Sequence, residues 1–444
     1  MKKVFLYDTT LRDGSQTEGI SFSVEDKLKI TALLDKLGID YIEGGWPGSN
    51  PKDVEYFKKV KELNLKHAKI TAFSSTRRAN HKAENDPIVK ALIEADTPVV
   101  CVFGKTWDFQ VKEALKVTLE ENLEMIEDTV SYLKKTGKEV VFDAEHFFDG
   151  YKANPKYALD CLKTAEKAGA DSLCLCDTNG GILAFEAERI INEIKAQLKA
   201  PLGIHAHNDS ETAVSVSGMA VYCGVTQVQG TMNGYGERCG NANLTSMIPI
   251  LKLKIKVECV SDEQLKSLTE VSRHIAEIAN LAQNPHQAFV GRSAFTHKAG
   301  VHVNAVMKHP GTYEHIDPEL VGNVRRVTVS DQAGISNLLF KAKEYGVDLE
   351  KNTPEIKALV ARLKVLEHEG YQFEEGEASF ELLLKRALKL YKPFFNLEQY
   401  SMDILQKSEE NFRVKAKMKI KVDGKKFESE AVGDGPINAL DAAL

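Results

Sequence analysis

KVFLYDTTLRDGSQTEG, residues 3–19, begins as an apolar run with the composition of a buried strand and passes into a polar turn. An open, doubly wound sheet would place a Gly-x-Gly-x-x-Gly phosphate turn directly after such a strand, and LRDGSQTEG, residues 11–19, is not one. An amphipathic stretch, SVEDKLKITALLDKLG, residues 23–38, comes next instead. Seven further strand candidates lie outward from this unit: YIEGGWP (41–47), KITAFSS (69–75), PVVCVFG (98–104), EVVFDAEHF (139–147), SLCLCDT (172–178), PLGIHAHN (201–208) and QVQGTMNG (227–234). Segments of helical period separate them, the pattern of a parallel sheet with crossover helices. Eight such units in about 250 residues fit a closed (β/α)8, or TIM, barrel. The unusual polar residues fall almost entirely at the C-terminal ends of these strands, where barrels build their active sites.

The expected architecture is therefore α/β: a TIM barrel over residues 1–261, a helical linker region over 262–392, and a partial α+β module over 393–444. DEQLKSLTEVSRHIAEIANLAQN (262–284) and TPEIKALVARLKVLEHEG (353–370) carry the helical pattern. The module reads as strands YSMDILQ, FRVKAKMKIKV and KKFESEAVG, with a turn at Asp423 and Gly424 and a helix beginning at PINALDAAL. A meander with one helix is thin for an independent domain, so this module is expected to be incomplete.

The 444 residues carry 58 basic against 64 acidic side chains, a net charge of −6 that gives no footprint for nucleic acid or an anionic membrane. Small molecules and further copies of the chain are the expected partners. The apolar run before Asp8 is too short for a signal peptide or a membrane span, and seven cysteines, an odd number, suit reduced thiols, so a cytoplasmic protein is expected. Cys174 and Cys176 alternate on an apolar strand and read as buried small side chains rather than a metal pair.

HAHND, residues 205–209, puts two imidazoles on one side of a strand end. His205 and His207 suit a divalent ion, and a carboxylate and an amide oxygen beside them favour harder ions such as Mn²⁺ or Mg²⁺ over Zn²⁺. Asp13 supplies the carboxylate, because a closed barrel brings the first strand near the seventh. Arg12 offers a rigid fork of donors for a carboxylate or an enolate oxygen, with Gln16 in the same turn. Asn241, in the glycine-rich NGYGERCGNAN (233–243), is a further candidate ligand. Glu145 and Thr178 end strands and should face the same mouth, Glu145 as a base, an anchor or a partner for Arg12. Outside the barrel, His297 and His302 in THKAGVHVNA and Tyr313 in TYEHIDPE read by themselves as polar loop residues.

Together DTTLRDGSQ (8–16), HAHND (205–209), GERCGNA (236–242) and HKAGVHVNAV (297–306) resemble, in order and spacing, the Claisen-condensing branch of the metallolyase barrel superfamily, which includes isopropylmalate, homocitrate and citramalate synthases. The resemblance spans essentially the whole chain, and YIEGGWPGSNPKD (41–53) is most similar to the citramalate-forming members. It implies condensation of acetyl-CoA with pyruvate and hydrolysis to citramalate and CoA, in isoleucine biosynthesis. It implies a divalent metal, Mn, Mg or Zn, on Asp13, His205, His207 and Asn241. Arg12 would stabilise the enolate, Thr178 would touch the keto-acid carboxylate, and Glu145 would sit beside the acetyl group. His302 and Tyr313 would assist proton transfer, reaching over from a neighbouring subunit of a homodimer. The tail resembles the first half of the family's regulatory domain, which binds an end product such as isoleucine, so that control is expected to be impaired here.

The same residues leave two rivals. One is a related synthase using another α-keto acid, or a hydroxyacyl-CoA lyase using Cys239 in the glycine-rich loop. The other is a non-catalytic effector-binding protein, which would require a decayed mouth, whereas every ligand position here holds a competent residue.

Overall fold

Strands β1 (Phe5–Asp8), β2 (Tyr41–Gly45), β3 (Lys69–Ser75), β4 (Val99–Lys105), β5 (Glu139–Glu145), β6 (Ser172–Asp177), β7 (Leu202–Ala206) and β8 (Gln227–Gly230) close in sequence order into one parallel barrel. The seam is the pairing of β1 with β8, Phe5 opposite Gln227 through Asp8 opposite Gly230. Seven of the eight strand candidates contain one of these strands whole, and the fourth, 98–104, stops one residue short of the end of β4. The computed structural model describes residues 3–330, 333–347, 349, 353–408 and 411–444.

These strands are buried on both faces, and alternation sorts their side chains. On β6, Leu173 and Leu175 pack into the layer beneath the helices, whereas Cys174 and Cys176 join Tyr7, Tyr41, Phe73, Cys101 and Val141 in the barrel interior. The reading of the two cysteines as buried side chains is met.

The first crossover helix, Val24–Leu37, starts on a capping box in which Ser23 accepts from the Asp26 amide and Asp26 accepts from the Ser23 amide. Such a cap stabilises by about 1 kcal/mol. Gly38, at φ 90°, ends the helix in the left-handed region. Three other helices start on a proline behind an Asn or Asp cap, at Pro51, Pro87 and Pro155.

Beyond the barrel the helix Leu268–Ile278 buries Leu268, Val271 and Ile275 in the core beneath the barrel helices. The chain divides into two compact units, one running to His297 and taking in Lys308–Arg326, the other made of Lys298–Met307 and Val327–Leu444. In the second, the helices Ile335–Glu344, Pro354–His368 and Glu377–Ala387 share a core that includes Leu338, Ile356, Leu363 and Phe380. Its three antiparallel strands, Asn396–Ser408, Asn411–Val422 and Lys425–Gly433, form a meander in sequence order. Asp423 and Gly424, at φ 47° and 83°, make the tight turn between the last two. The helix Pro436–Ala443 covers part of the sheet, packing Ala439 and Ala443 against Val414, Ala416, Met418 and Ile420. No helix among the described residues is long and apolar enough to cross a membrane.

Candidate active site

The turn after β1 is built by one carbonyl. Thr9 receives the amides of Arg12, Asp13 and Gly14 on its carbonyl oxygen, at 3.2, 2.8 and 3.0 Å, and donates its own amide to Gly230 at 2.8 Å. Asp8 accepts from the Thr10 amide and hydroxyl at 2.9 and 2.7 Å, and the Thr10 hydroxyl oxygen accepts from the Met232 amide at 2.8 Å. The turn is thus fastened to β1 and to the segment after β8, and it aims Arg12 and Asp13 into the mouth.

His205, near the end of β7, and His207, directly after the strand, face the same side. His205 Nε2 lies 3.2 Å from Asp13 Oδ2 and 3.4 Å from His207 Nε2, and its Nδ1 lies 2.9 Å from Gln229 Oε1. Asn241 is set beside His207 by a backbone bridge between the two residues. The loop that delivers it turns on Gly240, at φ 85°, where a Cβ would stand 1.9 Å from the Gly234 carbonyl oxygen. Only glycine meets both conditions.

Asp13, His205 and His207 are buried, with one potential ligand atom each, all within 4.8 Å of one another. His207 Nδ1 and both side-chain polar atoms of Asn241 are buried without a hydrogen-bond partner, and Asp13 Oδ2 has no aligned donor. Burial of unpaired acceptors such as Asp13 Oδ2 and Asn241 Oδ1 is costly unless a cation lies between them. The charges agree. Burial favours a neutral Asp13, but the Arg12 charge and His205 outweigh it and hold the carboxyl well below its ordinary range. Burial, reinforced by the neighbouring His205, pushes His207 down to about 3, leaving a neutral imidazole. Burial also opposes a charged His205, yet Asp13 overcomes it and raises its pKa. A field that draws a proton onto a buried imidazole favours positive charge there. The residues fit a divalent cation.

Arg12 donates through Nε to Glu43 at 2.6 Å, lies 3.3 Å from Asp13 through one terminal nitrogen, and stacks 3.7 Å above the Phe73 ring. Glu43, wholly buried on β2, also accepts from the Tyr7 hydroxyl at 2.5 Å. Above Phe73 the wall is aromatic: Trp46 meets Phe73 and Phe103 edge-on at 5.7 and 5.8 Å. The GGWPGSNPKD stretch holds that tryptophan in place. Asp53 accepts from the Trp46 amide at 2.9 Å and from the buried Lys27 ammonium at 2.5 Å, and Lys27 also donates to the Gly44 carbonyl at 2.8 Å. Gly45, at φ 152°, lets Asp53 approach to where a Cβ would be 2.4 Å from its carboxyl carbon.

The cleft encloses about 230 Å³ and gathers Arg12, Asp13, Gln16, Glu145, Thr178, His205 and His207, all singled out from the sequence. Glu145 pairs with Lys105 at 2.7 Å, not with Arg12. The Thr178 hydroxyl oxygen accepts from the His146 amide at 2.8 Å. Asn241 is buried beside His207. The two linker residues are placed differently. His302 is exposed on the helix Gly300–Lys308, within the second unit. Tyr313 is exposed next to Glu314, which joins His297 at 3.0 Å and Arg325 at 2.6 Å. Cys239 is exposed in its loop. The sequence reading did not single out Glu43, Trp46, Phe73, Phe103, Asp143 or Gln229, which the structure adds to the site. The signal available for Glu43, Asp143 and Gln229 was a polar side chain inside a strand otherwise apolar.

A closed parallel barrel with a carboxylate, two imidazoles and an amide at its C-terminal mouth defines an enzyme of the HMGL-like class, and residues 3–275 match the HMGL-like family. Residues 289–370 match the homocitrate synthase post-HMGL domain-like family, and residues 374–444 the LeuA allosteric (dimerisation) domain. The chain belongs to the citramalate synthases of the HMGL-like family. It is 55% identical to an (R)-citramalate synthase of Geobacter sulfurreducens over all of its own length and 84% of the relative's. It is likewise 55% identical, over the same shares, to an (R)-citramalate synthase of Aquifex aeolicus. A 2-isopropylmalate synthase of Methanocaldococcus jannaschii is 32% identical over all of this chain and 82% of its own. Among solved structures, a Bacillus subtilis HMG-CoA lyase aligns with a TM-score of 0.54 at 18% identity, over 64% of this chain and 96% of that one, a likeness of fold alone.

Proposed function

We propose that the chain condenses acetyl-CoA with pyruvate and hydrolyses the resulting thioester, giving citramalate and CoA, in isoleucine biosynthesis in the cytoplasm. The observation that carries this reading is identity of 55% with citramalate synthases along the entire chain. The cleft supports it. Asp13, His205, His207 and Asn241 would hold a Mn, Mg or Zn ion, which when bound supplies Lewis-acid polarisation of a carbonyl.

The chain's own residues do the remaining work. The methyl protons of a thioester are weakly acidic, so the enolate needs positioned donors as well as a base. Arg12, immobilised by Glu43, Asp13 and Phe73, keeps N–H groups for the enolate oxygen. Thr178 accepts from His146 and so keeps its hydroxyl proton to donate to the pyruvate carboxylate. Gln16 borders the same substrate, and Glu145, with Lys105 against it, sits beside the acetyl group. His302 and Tyr313 assist proton transfer from a neighbouring subunit, which makes a homodimer part of the site. The functional division we propose is a catalytic barrel over residues 1–261, a linker over 262–392 and a regulatory segment over 393–444 related to isoleucine binding.

Purified protein incubated with acetyl-CoA and a panel of α-keto acids, with CoA release followed by a thiol reagent, should turn over pyruvate fastest. Preference for α-ketoisovalerate or α-ketoglutarate would transfer the chain to the isopropylmalate or homocitrate synthases.

A further inference from the structure

Two buried polar groups have no part in the chemistry above: Asp143 on β5, at the wall of the cleft, and Gln229 on β8. Gln229 is wholly buried, and a primary amide in that position is costly unless both of its ends are bonded. Both are. Its Oε1 lies 2.9 Å from His205 Nδ1, and its Nε2 donates to Asp143 Oδ1 at 2.9 Å. Because the amide nitrogen is committed to a carboxylate, only the amide oxygen faces the imidazole. That oxygen requires the His205 proton on Nδ1. Nε2, the atom 3.2 Å from Asp13 Oδ2 and 3.4 Å from His207 Nε2, is then left with its lone pair towards the centre of the site.

We propose that Gln229 is the positioning residue of the cation site, fixing the tautomer and ring plane of His205, and that Asp143 fixes Gln229 in turn. This rests on the reading of Asp13, His205 and His207 as metal ligands. The order Asp143, Gln229, His205 is a polarised chain with an acceptor at the far end. Exchanging the carboxylate and the amide between Asp143 and Gln229 preserves an acceptor facing His205, and removing the amide of Gln229 breaks the chain. Partners of this kind around a metal-bound imidazole are worth about 10- to 100-fold in metal affinity.

The test is titration of metal-stripped protein with Mn²⁺, free ion being read by electron paramagnetic resonance, beside thermal melting of the stripped protein. Gln229→Met should bind Mn²⁺ about 10- to 100-fold more weakly while melting near the native temperature. Gln229→Glu combined with Asp143→Asn, in which the new amide donates to the new carboxylate and that carboxylate accepts from His205, should return to within about threefold of native. If Gln229→Met does not fold, Gln229→Asn, a methylene too short to reach both partners, should show the same weakening. Affinity within about twofold of native in the single variant, or no recovery in the double one, overturns the proposal. Native protein that takes up no Mn²⁺, or His207→Ala protein that takes it up equally well, would instead sink the metal reading beneath it.

Discussion

Asp8 and Asp13 flank one turn and have their carboxyl pKa values moved in opposite directions. Asp13 is anionic because Arg12 and His205 overcome its burial. At Asp8 burial wins over the hydrogen bonds from Thr10 and pushes the carboxyl up to about 7. A folded pKa above the unfolded one means that the folded state binds the proton more tightly. The stability this contributes is complete below about pH 4 and is lost as pH rises through about 7. Asp8→Asn removes the titration, so urea unfolding should show the variant gaining on the native chain between about pH 5 and 8, by on the order of a few kcal/mol. A gain on acidification instead would refute this account of Asp8. Spacing could not have shown it. His205 and His207 were legible because i and i+2 on any strand share a side. Glu43, Asp143 and Gln229 were not, because a polar residue inside an apolar strand faces the interior or the helices according to a register that one strand does not declare.

At the level of elements, the eight strands were legible because each is an apolar run closed by a turn and succeeded by a helical period. The loops were not, because their shapes depend on partners far away in sequence. YIEGGWPGSNPKD shows this: as sequence it is a family marker, and in the fold it is a bracket, with Lys27 and Asp53 gripping Gly44 and the Trp46 amide. Its product is the aromatic wall of Trp46, Phe73 and Phe103 beside Arg12. If the keto acid binds with its side chain against this wall, the wall limits the group it can carry beyond its carbonyl. Trp46→Ala should raise kcat/KM for α-ketobutyrate relative to pyruvate by about tenfold, since one methylene in such a pocket is worth about 1–3 kcal/mol. An unchanged ratio in competition assays would remove Trp46 from the specificity wall.

For the whole molecule, the proposed roles of His302 and Tyr313 require a neighbouring subunit. Both are exposed on their own subunit, and His302 belongs to the unit that does not contain the barrel. The chain carries a LeuA allosteric (dimerisation) domain over residues 374–444, which supplies a means of pairing subunits. If each active site takes Asp13 from one subunit and His302 from the other, each variant alone is inactive for a different reason. Asp13→Ala protein lacks the ligand at every mouth, and His302→Ala protein lacks the overhanging imidazole at every mouth. Mixed in equal amounts and allowed to exchange, they form heterodimers in which one site has lost both residues and the other is intact. Random pairing makes about half the dimers mixed, each with one working site, so activity should recover to about one quarter of native. Sites built within single subunits could never recover. No restored CoA release in a mixture shown by mass spectrometry to contain heterodimers would place His302 on its own barrel, and full activity of His302→Ala alone would take it out of the reaction.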